Sequence, residues 1–514
     1  MEISFAAPLD LNARSSVSTL EPVRELEPVQ PQVAADFTPS TNVTISAAVE
    51  PPPVYSEPVV IATYVRDNSY TGVAAVATSQ AMVQSVNQLS NAKTRFSVSN
   101  LFSQVAALSR ETNEYRNEVR QFRVPPKSTI EKFSPDFSAS GGIRVESAFL
   151  MVKTKEGDSI KIQLSRNHIH TGASKLEFSF VVDGELSEKE QKALARLTEK
   201  LGAVGDEFFR TDTAELRGLK NIDTDVISHF SFTLQRPDPI NDTYVEHSYE
   251  FSVDEVAQTQ TLKAGDVKGY SVDITMQLQG LVEGNSVDGN VLQQYIDLIN
   301  KAGEDSDTPN ASKRFMLDAF ETMFSGLSRV EKDGREEEVD KAEKSIVAFD
   351  SGLPDFKASF RSPVLHNPDF YTQISSMVLT LEQRTQVEKN GENLLVKQES
   401  SYDFVNHQFN FAAEFIDFMG GYYTYDTEHT TGSVTRLLSM TNDVVNNIWI
   451  EQQASKEVEK IRFENYKATD QDSYSYEDSR LQEFADLLTK LNGNHQQAAV
   501  EDLLLSSKEK LFLI

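Results

Sequence analysis

Residues 179–194 read SFVVDGELSEKEQKAL. Asp183, Gly184 and Glu190 are spaced like the back half of an EF-hand loop, with Asp at position 5, Gly at 6 and Glu at 12. Ser179 and Val181 would then fill positions 1 and 3, where acidic ligands belong, and Val has no ligating side chain. The upstream run LEFSFVV alternates like a strand, whereas an EF-hand needs an entering helix. The stretch therefore reads as a strand that stops at Asp183-Gly184 and a helix that starts at Ser187. Ser187 supplies an N-cap, and Glu190 three residues on completes a capping box. Glu188 and Glu190 also fall where the helix dipole favours acids. Ala193, Leu194, Leu197, Leu201, Val204, Phe208 and Phe209 mark the buried side of that helix.

The same alternation extends upstream. Ile143, Val145, Phe149 and Met151 share a face, Glu156-Gly157-Asp158 reads as a turn, and Ile160, Ile162 and Leu164 follow at period two. Leu176, Phe178, Phe180 and Val182 form a third run, which predicts an antiparallel meander with one buried face. Strand patterns return at 228–235, 247–253, 270–278, 355–361, 374–387 and 393–418. Helical composition is expected at 187–220, 287–329, 433–466 and 480–512, with an acidic linker at 469–479. The expected fold class is α+β: antiparallel β-meanders alternating with helical blocks, a disordered N-terminal arm, and long helices flanking the body.

Five regions follow from this pattern. Residues 1–72, with EPVRELEPVQPQ and VEPPPVYSEPVV, read as a disordered acidic Pro-rich arm. Residues 73–125 read as a helical segment with a heptad seam, 141–282 as an α+β domain, 283–420 as a second α+β region, and 421–514 as a C-terminal helical region. The seam runs through Leu101, Val105, Leu108, Thr112, Tyr115, Val119 and Phe122 at spacings of 4, 3, 4, 3, 4 and 3. It suits either a coiled coil or a helix laid on its own domain.

FVVDGELSEKEQKALARLTEKLGAVGDEFF (180–209) resembles a strand-to-helix segment of an uncharacterised family of gammaproteobacterial proteins. The shared features are the Asp-Gly-x-Leu turn, the charged amphipathic helix and the acid-Phe-Phe end. The resemblance implies a bacterial source and carries no activity or catalytic residue with it.

Composition bounds the function. The chain has 78 acids against 49 bases and a net charge of −29, which argues against a nucleic-acid partner. It has no cysteine, so disulfides, thiolate metal sites and Cys nucleophiles are excluded. The N-terminus lacks a basic n-region and an apolar h-region, and no apolar run is long enough to span a bilayer. A cytoplasmic location is expected, with export without a cleaved signal peptide as the alternative.

Reaction motifs are missing: there is no GxGxxG, GxxxxGK[ST], GxSxG or HExxH. His168 and His170 in NHIH stand two apart, as the start of a metal site would, with Glu177 the nearest acid to join them and no third His nearby. Water-facing histidines explain the same residues, so no metal and no cofactor is assigned. The aromatic run FNFAAEFIDFMGGYYTYDTEH (409–429) reads as strand burial followed by a Tyr-rich turn. The expected function is a non-catalytic scaffold or assembly and binding protein, acting through a protein partner or self-association. Leu101, Val105, Leu108, Tyr115, Val119, Tyr422, Tyr423 and Tyr425 are the expected contact residues. Two alternatives compete: a hydrolase using acidic residues within 141–420, and a surface glycan- or ligand-binding module centred on 409–425.

Overall fold

The computed structural model describes residues 60–67, 69–89, 96–124, 144–169, 173–211, 216, 219, 222–238, 243–266, 269–279, 289–325, 341–362, 365–367, 372–410, 423–465, 467–490 and 500. The strand-to-helix junction at 179–194 forms as its residues dictate. Strand β5 (Ala173–Asp183) ends at the Asp-Gly turn and helix α4 (Glu188–Thr211) follows. Glu190 Oε2 accepts from Ser187 N and Ser187 Oγ, each at 2.8 Å, while the Glu190 amide reaches back to Ser187 Oγ at 3.4 Å. That is a reciprocal capping box.

The first half of the sheet comprises β1 (Val60–Val65), β2 (Glu114–Val124), β3 (Arg144–Thr154), β4 (Ser159–Ile169), β5, β6 (Ile227–Asp238), β7 (Thr243–Asp254), β8 (Thr259–Asp266) and β9 (Ser271–Gln277). The second half comprises β10 (Phe356–Arg361), β11 (Leu365–Asn367), β12 (Thr372–Asn390), β13 (Asn393–Asn410), β14 (Tyr423–Thr441), β15 (Val444–Glu464) and β16 (Lys467–Glu483). They form one antiparallel sheet in the order β1-β2-β5-β4-β3-β6-β7-β8-β9-β10-β12-β13-β14-β15-β16, with β11 on β12. Every pairing among the described strands is antiparallel; hairpins join successive neighbours such as β12 and β13, whereas residues 278–355 separate β9 from its neighbour β10.

Helices cover one face. They are α1 (Val73–Leu89), α2 (Ser99–Phe102), α3 (Val105–Glu111), α4, α5 (Gly289–Asp305), α6 (Asn310–Ser325), α7 (Lys341–Phe349) and α8 (Ala485–Lys490). The main core runs from Ala74 on α1 to Phe404 on β13 and crosses the boundary expected near 282. A second cluster joins α7 and α8 to Val396, Leu438 and Ile448 at the hairpin ends of β13–β15. A polar layer lies between them on β13 and β14. Buried Arg436 sits over the Phe349 ring, 5.1 Å from its centroid, and donates to Gln398 Oε1. Gln398 Nε2 donates to Ser351 Oγ at 3.3 Å and to Thr385 Oγ1 at 3.2 Å.

The fold is mixed α+β but mostly strand, and it corrects several expectations. Among the described residues, no long helices flank the body. The segment 433–466 is the β14–β15 hairpin, whose two turn residues Asn442 and Asp443 take φ of 51° and 60°. Positive φ at both central positions makes the tight hairpin turn that matches strand twist, and Asn and Asp tolerate it. The residues expected as an acidic linker are the body of β16, and the chain turns helical after it at Ala485. The heptad seam does not make one helix. It passes through α2 and α3 into β2, because Thr112 is extended and β2 pairs with β5, Tyr115 opposite Phe180 and Val119 opposite Leu176. Part of the expected N-terminal arm, Val60–Val65, is an edge strand on β2. Residues 1–59, and 491–499 and 501–512 of the helical region expected at 480–512, lie outside the described residues.

Candidate functional site

Helix α5 ends over β13, and the sheet holds that end. Asn406 Nδ2 donates to the Asp305 carbonyl at 2.9 Å, and Gln408 Nε2 donates to the same oxygen. Ser306 Oγ returns to Ala302 O at 2.8 Å, and Asp307 leaves the helix at φ 52°. The Asp305 carbonyl, at the helix end, thereby accepts from two side chains of the sheet.

Between this helix end and β13–β16 lies a cleft of about 230 Å³. Its floor is apolar: Leu298 and Ala302 from α5, Leu379 from β12, and Tyr402 and Phe404 from β13, all buried. Tyr402 stands opposite Gly432 on β14, and its ring occupies the space where any other residue would place a Cβ. The aromatic ring lies low on the sheet because Gly432 has no side chain, a cross-strand pairing that also shields the glycine.

The rim is charged and balanced. Glu428 Oε1 accepts from Lys456 Nζ at 2.5 Å and from Thr430 Oγ1 at 3.2 Å, which fixes its orientation. Lys301 and Asp305 stand on the helix side, and Tyr476 of β16 closes the remaining edge at 61% exposure. Partial burial pushes the Asp305 carboxyl above its usual range; Lys301 and Lys456 oppose this, while Glu428 adds to it. The negative end of α5 works in the same direction as burial. The cleft therefore offers an apolar aromatic floor under a ring of hydrogen-bonding groups of both signs.

No protein-family model, curated protein or solved structure matches this chain.

Two broader troughs lie on the sheet face opposite the helices. One, of about 980 Å³, is lined by Lys357, Glu382, Asp403, Ser433, Ser455 and Glu477. The other, of about 770 Å³, lies over β2, β4 and β5 and contains Glu118 and Glu177, which face each other across the strands. Glu118 pairs with Arg120 and with Arg66 at 3.7 Å; Glu177 pairs with Lys175 at 2.9 Å. Burial pushes the Glu177 carboxyl up, but hydrogen bonds from Lys175 and Ser165 more than offset this and hold it below its usual range. A carboxylate stabilised in its charged form is a poor proton donor.

The expected contact residues are divided by the structure. Leu101, Val105, Leu108, Tyr115 and Val119 are fully buried in the chain's own core and offer no surface to a partner. Their apolar spacing reflects that burial. Tyr423 stacks on Phe463 at 4.7 Å between centroids, and Tyr425 on His407 at 5.8 Å; both are half-buried. Tyr422, His170 and the side chain of His168 lie outside the described residues; the His168 backbone pairs with Ser174 and Arg144. Among the described residues, no group of three His, Asp or Glu could hold a metal, and no helix is long and apolar enough to cross a membrane. Sequence reasoning missed Lys456 and Tyr476 because their segments were read as helix and linker. The alternation Tyr474-Ser475-Tyr476 is the signal that places both tyrosines on one strand face.

Proposed function

We propose that this chain is a non-catalytic binding and assembly protein that takes an extended segment of a basic partner protein along strand β16. The observation that carries this reading is the edge itself. Among the described residues β16 pairs with β15 alone, through sixteen of its seventeen residues, and Lys467 to Leu481 are all exposed. An unpaired strand edge is a row of backbone donors and acceptors, and adding a strand there gives main-chain affinity. Tyr474 and Tyr476 lie on one face of it, 55% and 61% exposed, as anchors of the kind enriched at interfaces.

Charge selects the occupant. β16 carries five acids (Asp470, Asp472, Glu477, Asp478, Glu483) against two bases (Lys467, Arg480). A second copy of the same edge would set acids against acids, which opposes self-addition. A Lys- or Arg-rich strand is favoured by the same field.

The test uses the full chain with a photo-cross-linking residue at Tyr476 or, as a control, at Thr431 on the opposite face. The reading expects one basic protein cross-linked from 476 and lost when Asp472 and Asp478 are changed to Lys. Cross-linking from 431 alone, or turnover of a substrate with no cross-linked protein, contradicts it.

A further inference from the structure

We propose that the cleft between the end of α5 and β13–β16 is a binding site for a single saccharide ring, a ligand site that shares only Tyr476 with the strand edge. Size sets the first limit. At about 230 Å³ the cleft falls below the roughly 300–1,000 Å³ of drug-sized ligand sites, so it takes one small ring.

Chemistry sets the second. The floor formed by Tyr402 and Phe404 is apolar and aromatic, and it suits the C–H face of a ring. Around it stand two acids, Asp305 and Glu428, and two bases, Lys301 and Lys456. Their charges cancel, so the rim selects neither an anion nor a cation. It offers closely spaced donors and acceptors instead, and a neutral ring with hydroxyls at its edge uses both. Glu428 is already oriented by Lys456 and Thr430, so accepting a hydroxyl needs little reorganisation.

The floor depends on Gly432. A Cβ there would come within 2.7 Å of Tyr402 Cζ, forcing the ring up into the cleft. Gly432→Ala therefore blocks the site sterically while leaving its rim intact.

The experiment is saturation-transfer NMR and titration of the full chain with D-glucose, D-galactose and N-acetyl-D-glucosamine. Expected is transfer to ring C–H protons for at least one of them, weakened about tenfold or more by Glu428→Gln, since one hydrogen bond to a charged group is worth about 1.5–3 kcal/mol. Gly432→Ala should abolish transfer. Because that variant could lose stability, Tyr476→Ala on the exposed edge strand serves as a second test and should also weaken binding. Absence of transfer from all three sugars, or binding unchanged in both Glu428→Gln and Tyr476→Ala, overturns the assignment. Tyr476 borders both sites, so the arms that separate the two readings are Glu428→Gln, which should weaken sugar binding and leave cross-linking from 476 intact, and the Asp472→Lys and Asp478→Lys changes, which should abolish cross-linking and leave sugar binding intact.

Discussion

The ring of Tyr402 on β13 lies directly over the α-carbon of Gly432, its cross-strand neighbour on β14. A methyl group on Gly432 would come within 2.7 Å of Tyr402 Cζ. Ala is ordinarily the better strand residue than Gly, by about 0.5–1 kcal/mol. Here the steric clash wins. Gly432→Ala is expected to destabilise the chain by about 1–3 kcal/mol. In a Tyr402→Ala background the same change should cost little, because the obstructing ring is gone. Urea unfolding of the four proteins in a double-mutant cycle checks this; equal costs in both backgrounds would refute the contact.

Asp206 on α4 organises the start of α2. Its carboxylate accepts from Val98 N at 2.5 Å, Ser99 N at 3.1 Å and Ser97 Oγ at 3.2 Å, and from Ser99 Oγ. The approach is close enough that a Cβ on Gly202 would lie 2.8 Å from the Ser99 α-carbon. Asp206→Ala should cost about 1–2 kcal/mol, the scale of a lost helix cap. Amide exchange at Val98 and Ser99 should speed up in the variant; unchanged protection there would contradict the capping role.

Arg436 is buried between the two apolar clusters, over Phe349 and bonded to Gln398. Arg436→Ala leaves a cavity and removes the donor to Gln398, with an expected cost of about 2–5 kcal/mol. Arg436→Met refills the space beside the ring and should cost about 1–3 kcal/mol, the price of an unsatisfied buried amide. Thermal unfolding ranks the two; a Met variant less stable than the Ala variant would show that volume is not the main term.

Asp305 gives a pH dependence whose sign can be worked out. Its folded-state carboxyl is raised by partial burial, so the folded chain holds that proton more tightly than the unfolded chain. The associated stability is present at low pH and is lost as pH rises through the folded value. Asp305→Asn removes that loss. The variant should be more stable than the parent at neutral pH, and the difference should close below about pH 3.9, where both states of the parent are protonated. A difference independent of pH would contradict this assignment.

Local patterns proved the most legible part of the sequence. The capping box at Ser187 and Glu190 could be read because its partners are three residues apart and need nothing from the rest of the chain. The meander from Arg144 to Asp183 was legible because each strand buries alternate residues. The segment 433–466 was not, because Val434, Leu438 and Val445 satisfy helical spacing as well as strand spacing. What decides between them is the Asn442-Asp443 turn and pairing with β13, a partner about forty residues upstream at Val396–Leu438. The cleft was illegible for the same reason. Lys456, Glu428 and Asp305 meet through strand register and helix docking, and no spacing in the chain encodes their approach.

The partner-binding account rests on the backbone of β16 being available. Amide hydrogen exchange across Lys467–Glu483, residue by residue in the full chain, tests this most directly. The account expects alternate amides, those turned away from β15, to exchange fast in the free protein and to become protected together when the cross-linked partner is present. Full protection of every β16 amide in the free chain would show the edge already covered, and would contradict it.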